Sequence, residues 1–238
     1  MLACHQTDPV FVPATRFQRQ VDVLCDAALA GQPEACKRAS ERLKKLGVPS
    51  EQIIDLHIPA AARQIGEQWV RDEISFADVT ISVSRLQALL RHLERPGYCV
   101  PVGDPHGLSI LLLVASENDH TLGAMVVVNQ LRRRGCSVRL ILAARPETVI
   151  AETEITRFDV VMISAAQGDS ARPLRRLIQA VRKSSSSSAS IIIGGGMIDS
   201  ESDILRLTGA DFAEKDTQRA LALCRLRSQA TAGKRKTM

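Results

Sequence analysis

The hydrophobic pattern changes period partway along the chain. Up to about residue 95 the apolar residues recur at helical spacing; from Leu108 they fall in short runs separated by amphipathic stretches. In the first part, residues 18–30 and 33–46 read as short helices, the second with Pro33 in its first turn and Gly47 just past its end. A third helix is expected from Ile58 to Val70, where Pro59 is tolerated in the first turn. The fourth is the clearest. Ser75 and Asp78 have capping-box spacing, and Val79, Val83, Leu86, Leu90 and Leu93 form one stripe on a helix ending near Arg95, before Pro96-Gly97. Four short helices of this kind suggest a small antiparallel bundle.

Residues 96–107, PGYCVPVGDPHG, lack periodicity and read as a linker. Beyond them, apolar runs at 108–115, 138–143, 159–164, 190–193 and 210–213 alternate with helical stretches at about 121–134, 146–157, 171–182, 201–207 and 217–228. Five such βα units predict an α/β domain, a parallel sheet with helices on both faces. Ser184–Ser188 is a low-complexity loop. The expected organisation is a helical bundle over 1–95, a linker over 96–107, an α/β domain over 108–230 and a basic tail over 231–238.

Composition narrows the function. The 238 residues are 45% apolar, enough for real cores, which excludes a mainly disordered chain. Aromatics are only 3%, which argues against stacking platforms for single-stranded nucleic acid. No apolar run approaches the roughly 18 residues of a membrane span. The start, MLACHQTDPVF, lacks the basic flank of a signal peptide, so a cytoplasmic protein is expected. Six cysteines with no C-x-x-C pair read as reduced thiols. Residues 1–100 carry 12 basic and 12 acidic side chains; the whole +5 charge falls beyond them, three units of it on Lys234, Arg235 and Lys236. That tail is either a solvated end or a weak direct DNA contact. The neutral helical part carries no helix-turn-helix with a basic recognition helix.

The first strand of an open α/β sheet ends near Ser116, where such folds bind ligands. Glu117-Asn118-Asp119-His120-Thr121-Leu122-Gly123 follows, and then a helix begins. Taken alone, His120 is either a polar loop residue or a metal ligand or acid–base group. Gly123 lets the helix start approach a bulky ligand or a neighbouring strand. The third strand ends in Ser164-Ala165-Ala166 and the fourth in Gly194-Gly195-Gly196, so the strand ends beside the histidine loop are stripped of bulk and leave a slot. A G-x-G-x-x-G after the first strand and a G-x-x-x-x-G-K-[ST] are both absent, which disfavours the usual nucleotide folds.

These elements resemble the cobalamin-binding domain pattern: D-x-H-x-x-G, then S-x-L, then G-G. Here Asn118-x-His120-x-x-Gly123 is separated by forty residues from Ser164-x-Ala166, which is separated by 27 from Gly194-Gly195. Thr208-Gly209-Ala210-Asp211 resembles the family's entry to the last strand. The resemblance implies a five-stranded flavodoxin-like domain with cobalamin as cofactor and His120 as lower axial ligand to cobalt. Asn118, Asp119, Thr121 and Gly123 would stand around that ligand, and Ser164, Gly194 and Gly195 would line the slot for the displaced nucleotide tail. Two positions depart from the pattern. Asn118 replaces an Asp that accepts the histidine N–H, and Ala166 replaces Leu. Haem is the alternative macrocycle, since a single His suits either.

Gly66-Glu67-Gln68-Trp69 and Ser75–Thr80 resemble the helical cap of cobalamin-based light sensors, in which a Trp lies over the upper corrin face. Trp69 fits that residue; a core position in the bundle is the alternative, but its place as the only Trp, at a helix end beside the linker, favours the cap. Asp78-Val79 stands where the sensors carry a Glu-His pair. The run 78–91, DVTISVSRLQALLR, is similar to the AerR/PpaA antirepressors of photosynthesis genes. That resemblance implies a non-enzymatic, light-responsive regulator acting through a DNA-binding transcriptional repressor. A corrinoid carrier for a methyltransferase, of similar length and layout, is the competing expectation. The uncharged Asn118 weighs against it, because such carriers use an Asp–His pair in their proton relay.

Overall fold

The computed structural model describes residues 14–32, 34–94, 107–115, 121–184 and 188–224. The chain divides into two compact units, residues 1–94 and 95–238.

The first unit is helical: α1 (Ala14–Leu29), α2 (Ala35–Lys45), the single turn α3 (Ser50–Gln52), a π-helical turn (Ile53–His57), α4 (Ile58–Val70) and α5 (Phe76–Leu93). α1 packs on α2, α4 and α5. Gly47 takes a left-handed φ of +85° just past α2, as its place in the sequence predicts. Ser75 and Asp78 form the expected capping box, each side chain bonding the other's backbone N–H.

Two features depart from the periodicity. The turn α3 and the π turn precede α4. The wide turn brings the buried residues Ile53, Ile54, His57 and Ile58 onto the core side. His57 is fully buried: Nδ1 lies 3.1 Å from the Gln52 carbonyl oxygen and Nε2 3.0 Å from Gln20 Oε1, while Phe17 packs against its ring. Burial holds the His57 pKa below its usual value. The second departure is the buried face of α5, which runs Ser82, Leu86, Leu89, Leu90 and Leu93, with Val79 and Val83 only half-buried. Ser82 Oγ donates to the Ala28 carbonyl oxygen at 3.3 Å and Arg85 Nη1 donates to it at 2.6 Å. The last turn of α1 leaves carbonyls without helical partners, and two polar side chains of α5 satisfy one of them.

The second unit contains β1 (Ser109–Ala115), α6 (Thr121–Arg133), β2 (Ser137–Ala144), α7 (Pro146–Ile155), β3 (Val160–Ser164), α8 (Ala171–Arg182), β4 (Ser190–Gly194), α9 (Met197–Ser200), α10 (Ile204–Thr208), β5 (Phe212–Ala213) and α11 (217–224). Five strands form one parallel sheet in the order β2-β1-β3-β4-β5, the flavodoxin-like order. Alternate strand residues feed two cores. Leu111, Leu113, Val161, Ile163, Ile191 and Ile193 join Val149 of α7 and Leu174 and Leu177 of α8. Ile110, Leu112, Val114, Val160, Met162 and Ile192 join Leu131 of α6 and Leu221 of α11. Both faces are therefore covered, which is why the strands read as continuous apolar runs. The strands and all five expected helices are present, α10 starting at Ile204 where residue 201 was expected, but the short α9 was not foreseen. The linker 96–107, all but its last residue, the basic tail 231–238 and the middle of the serine loop lie outside the described residues.

Candidate functional site

β1 and β3 are neighbours although they are not consecutive, and the connections leaving them run to opposite faces through α6 and α8. That is the topological switch point, where an open α/β sheet binds its ligand beyond the carboxyl ends of the strands. The register places Val114, Ser164 and Gly194 side by side at this edge.

The β3 and β4 ends are tied together by their backbones. Ala165 N–H donates to the Gly194 carbonyl at 2.8 Å, and Met197 N–H donates to the Ala165 carbonyl at 3.3 Å. Ala166 N–H donates to Asp169 Oδ2 at 2.7 Å and closes the turn after β3. Gly195 has φ +105°, and a Cβ there would overlap the Ala165 carbonyl oxygen. A Cβ on Gly194 would lie 3.1 Å from the Glu214 carbonyl oxygen, and one on Gly196 would lie 3.1 Å from Gln167 N. The sequence reading took these glycines as clearance for a ligand slot. The protein's own backbone uses that clearance, because the β4–α9 turn seats directly on the β3–α8 turn. Asp169, which orders the second turn, was not singled out from the sequence; Gly168-Asp169 after a strand is its turn signal.

Across the switch point, α6 begins at Thr121, which is half-buried. Gly123 is exposed, and a Cβ on it would meet no atom of the described residues within 4 Å. Nothing among the described residues requires glycine there. Asn118, Asp119 and His120 lie between β1 and α6, outside the described residues.

In the helical unit Trp69 is 44% exposed at the end of α4, so it is not a core residue of the bundle. Its ring packs against exposed Phe76 at 6.0 Å between centroids, with exposed Val70 beside it in the chain. Gln68 Oε1 is the buried side-chain atom without a hydrogen-bond partner among the described residues. Asp78, at the position of the sensors' Glu-His pair, spends its carboxylate on Ser75 N and Oγ at 3.0 and 2.6 Å. Those bonds hold its pKa below the usual carboxylate range. Among the described residues no group of three His, Cys, Asp or Glu side chains is placed to hold a metal. A lower ligand supplied by a single His is compatible with that.

Comparison with known proteins decides the family. Residues 108–222 match the B12 binding domain, and residues 20–94 match a second family of the same description. An uncharacterised 20.5 kDa protein of the bchF-crtJ intergenic region of Rhodobacter capsulatus is 37% identical over 169 residues, 71% of this chain and 88% of that one. The chain belongs to the B12-binding domain family. Cobalamin is the macrocycle of this family, and the Rhodobacter match agrees with the AerR-like resemblance of residues 78–91. The Methanosarcina barkeri monomethylamine corrinoid protein has the same fold: TM-score 0.65 at 18% identity, over 89% of this chain and 98% of that one.

The residues present fit a B12-binding site. The switch-point edge presents Val114, Ser164, alanines and glycines, and among the described residues no atom fills the space beside Gly123. No helix among the described residues is long and apolar enough to cross a membrane.

Proposed function

We propose that the chain is a light-responsive transcriptional regulator that holds cobalamin and acts as an antirepressor, through a DNA-binding repressor of photosynthesis or pigment genes. The observation that carries this reading is the AerR/PpaA-like run 78–91, in a chain 37% identical over 169 residues to the Rhodobacter relative. In this reading the protein has no catalytic step of its own, and its output is a change in partner binding.

Cobalamin, when bound, would supply a cobalt centre open to ligation and a chromophore that absorbs visible light. The chain's own residues place and sense it. His120 would ligate the cobalt, and Asn118 or Asp119 would accept its second N–H to fix the ring orientation. An uncharged Asn118 orients the imidazole without supplying a proton relay, which suits steady ligation better than a cycle of release and rebinding. Thr121 and Gly123 would border the same site, and Ser164 with the backbone of Gly194 and Gly195 would face the nucleotide tail. Trp69 would lie against the macrocycle, and a change in what the macrocycle carries would act on the indole and, through α4, on the helical unit, giving it two arrangements. A tenfold change in repressor affinity needs only about 1.4 kcal/mol between the two arrangements.

The test is a pull-down of the repressor with apo and cobalamin-loaded chain, in the dark and after illumination, beside a methyl-transfer assay to a thiol acceptor. Capture that depends on loading or light, without methyl transfer, supports the regulator. Equal capture in every state, or robust methyl transfer, makes the chain a corrinoid carrier.

A further inference from the structure

α8 carries a charged face that the site does not use. Arg172, Arg175, Arg176 and Gln179 follow at three- and four-residue spacing, and Lys183 at the C-cap continues the line, so all five share one side of the helix. All five are exposed, while Leu174, Leu177, Ile178 and Val181 bury the opposite face against the sheet. Among the described residues none of the four cationic side chains pairs with a carboxylate. Arg182, on a different side, is the residue that bonds Asp211. The neighbouring helices offer little compensation. Exposed Glu147 and Glu154 of α7 do not reach these arginines, and Asp203 beside α10 is taken by Arg206.

From these observations we infer that the exposed face of α8 binds the phosphate backbone of duplex nucleic acid without reading its sequence. Geometry, residue type and what the face lacks all support this. The stripe from Arg172 to Lys183 is about 16 Å long at 1.5 Å per residue, which spans roughly five phosphates of one strand at 3.4 Å each. Three of the four cations are arginine, whose planar fork matches phosphate oxygens. The face has no exposed apolar side chain to form the dry centre of a protein interface, which disfavours an acidic protein as occupant. It also has no aromatic on which single-stranded bases would stack. The inference goes beyond the regulatory reading and does not depend on it, because the stripe is independent of the cofactor residues.

The experiment is fluorescence anisotropy of the full chain with a labelled mixed-sequence 20-base-pair DNA duplex over a range of NaCl. Three variants accompany wild type: Arg172→Gln/Arg175→Gln/Arg176→Gln on α8; Arg42→Gln/Lys45→Gln/Arg63→Gln, the same charge loss on the helical unit; and Lys234→Gln/Arg235→Gln/Lys236→Gln in the tail. Thermal unfolding checks that each is folded. The α8 variant is expected to bind at least tenfold more weakly at 50 mM salt. Its plot of log affinity against log salt should be shallower by about 2.7, from 0.9 per lost phosphate contact. The helical-unit variant should lose little of either. Absence of duplex binding by wild type, equal losses in the α8 and helical-unit variants, or complete loss in the tail variant alone would overturn it. So would tighter binding of a poly-glutamate peptide than of the duplex.

Discussion

Glycines stand on both sides of the switch point, and they do opposite things. In the turn after β4 a side chain on Gly195 would overlap the Ala165 carbonyl oxygen, and φ is +105°, so the fold itself demands glycine. At the start of α6 a side chain on Gly123 would touch nothing among the described residues, so their packing does not demand glycine. One residue type at one sheet edge therefore stands in two settings, one where backbone packing uses the missing side chain and one where the described residues leave the space open. The difference teaches that smallness at a strand end is not by itself a sign of a ligand. It becomes one where the protein leaves the space unfilled.

The comparison is most sharply broken by substituting both glycines. Gly195→Ala is expected to destabilise the cofactor-free protein by about 3 kcal/mol, from the strained φ and the steric overlap together. Urea unfolding of the apo protein measures this, and a loss below 1 kcal/mol would mean the two turns are not seated as described. Gly123→Leu is expected to leave apo stability unchanged or raised by a few tenths of a kcal/mol, because Leu is the better helix former. Its cobalamin affinity should fall at least tenfold, about 1.4 kcal/mol, in a spectrophotometric titration. If instead the apo protein is destabilised and affinity is kept, Gly123 is structural like Gly195.

A smaller effect separates the helical unit from the sheet edge. His57 is held neutral by burial, with its folded pKa below the unfolded value near 6.5. The unfolded state therefore binds the extra proton first. The contribution of His57 is fully present above pH 6.5 and is lost as pH falls through its folded pKa, with a slope of at most about 1.4 kcal/mol per pH unit. His57→Gln should lower stability at neutral pH and flatten that dependence; an unchanged slope would place the titration elsewhere. The smallest change expected is optical. Trp69 fluorescence should be quenched as cobalamin saturates the protein, and an unquenched indole at saturation would remove Trp69 from the upper face.

The sheet was legible because strands buried on both faces leave unbroken apolar runs, and Ile191-Ile192-Ile193 feeds both cores from three residues. The capping box at Ser75 and the glycine after α2 were legible because their chemistry is local. The π turn was not. It follows from which core the Ile53–Ile58 segment must fill, and helical periodicity assumes a constant step. The buried face of α5 was misplaced at its start because Ser82 is buried by a long-range bond to the Ala28 carbonyl, which no apolar stripe reveals. At the site, spacing picked out Ser164, Gly123 and the Gly194–Gly195 pair, but the partner of Gly195 is a carbonyl thirty residues away. Only the folded chain brings the two together.

The central claim is that this edge holds cobalamin through His120. The most direct measurement is the absorbance spectrum of purified protein titrated with cobalamin, for wild type and His120→Ala, in the dark and after illumination. Wild type is expected to bind with the cofactor's own base displaced and to change its spectrum on illumination. His120→Ala should lose most of the affinity while keeping the wild-type unfolding midpoint of the apo protein. A variant that binds as tightly as wild type with the same spectrum would contradict the account.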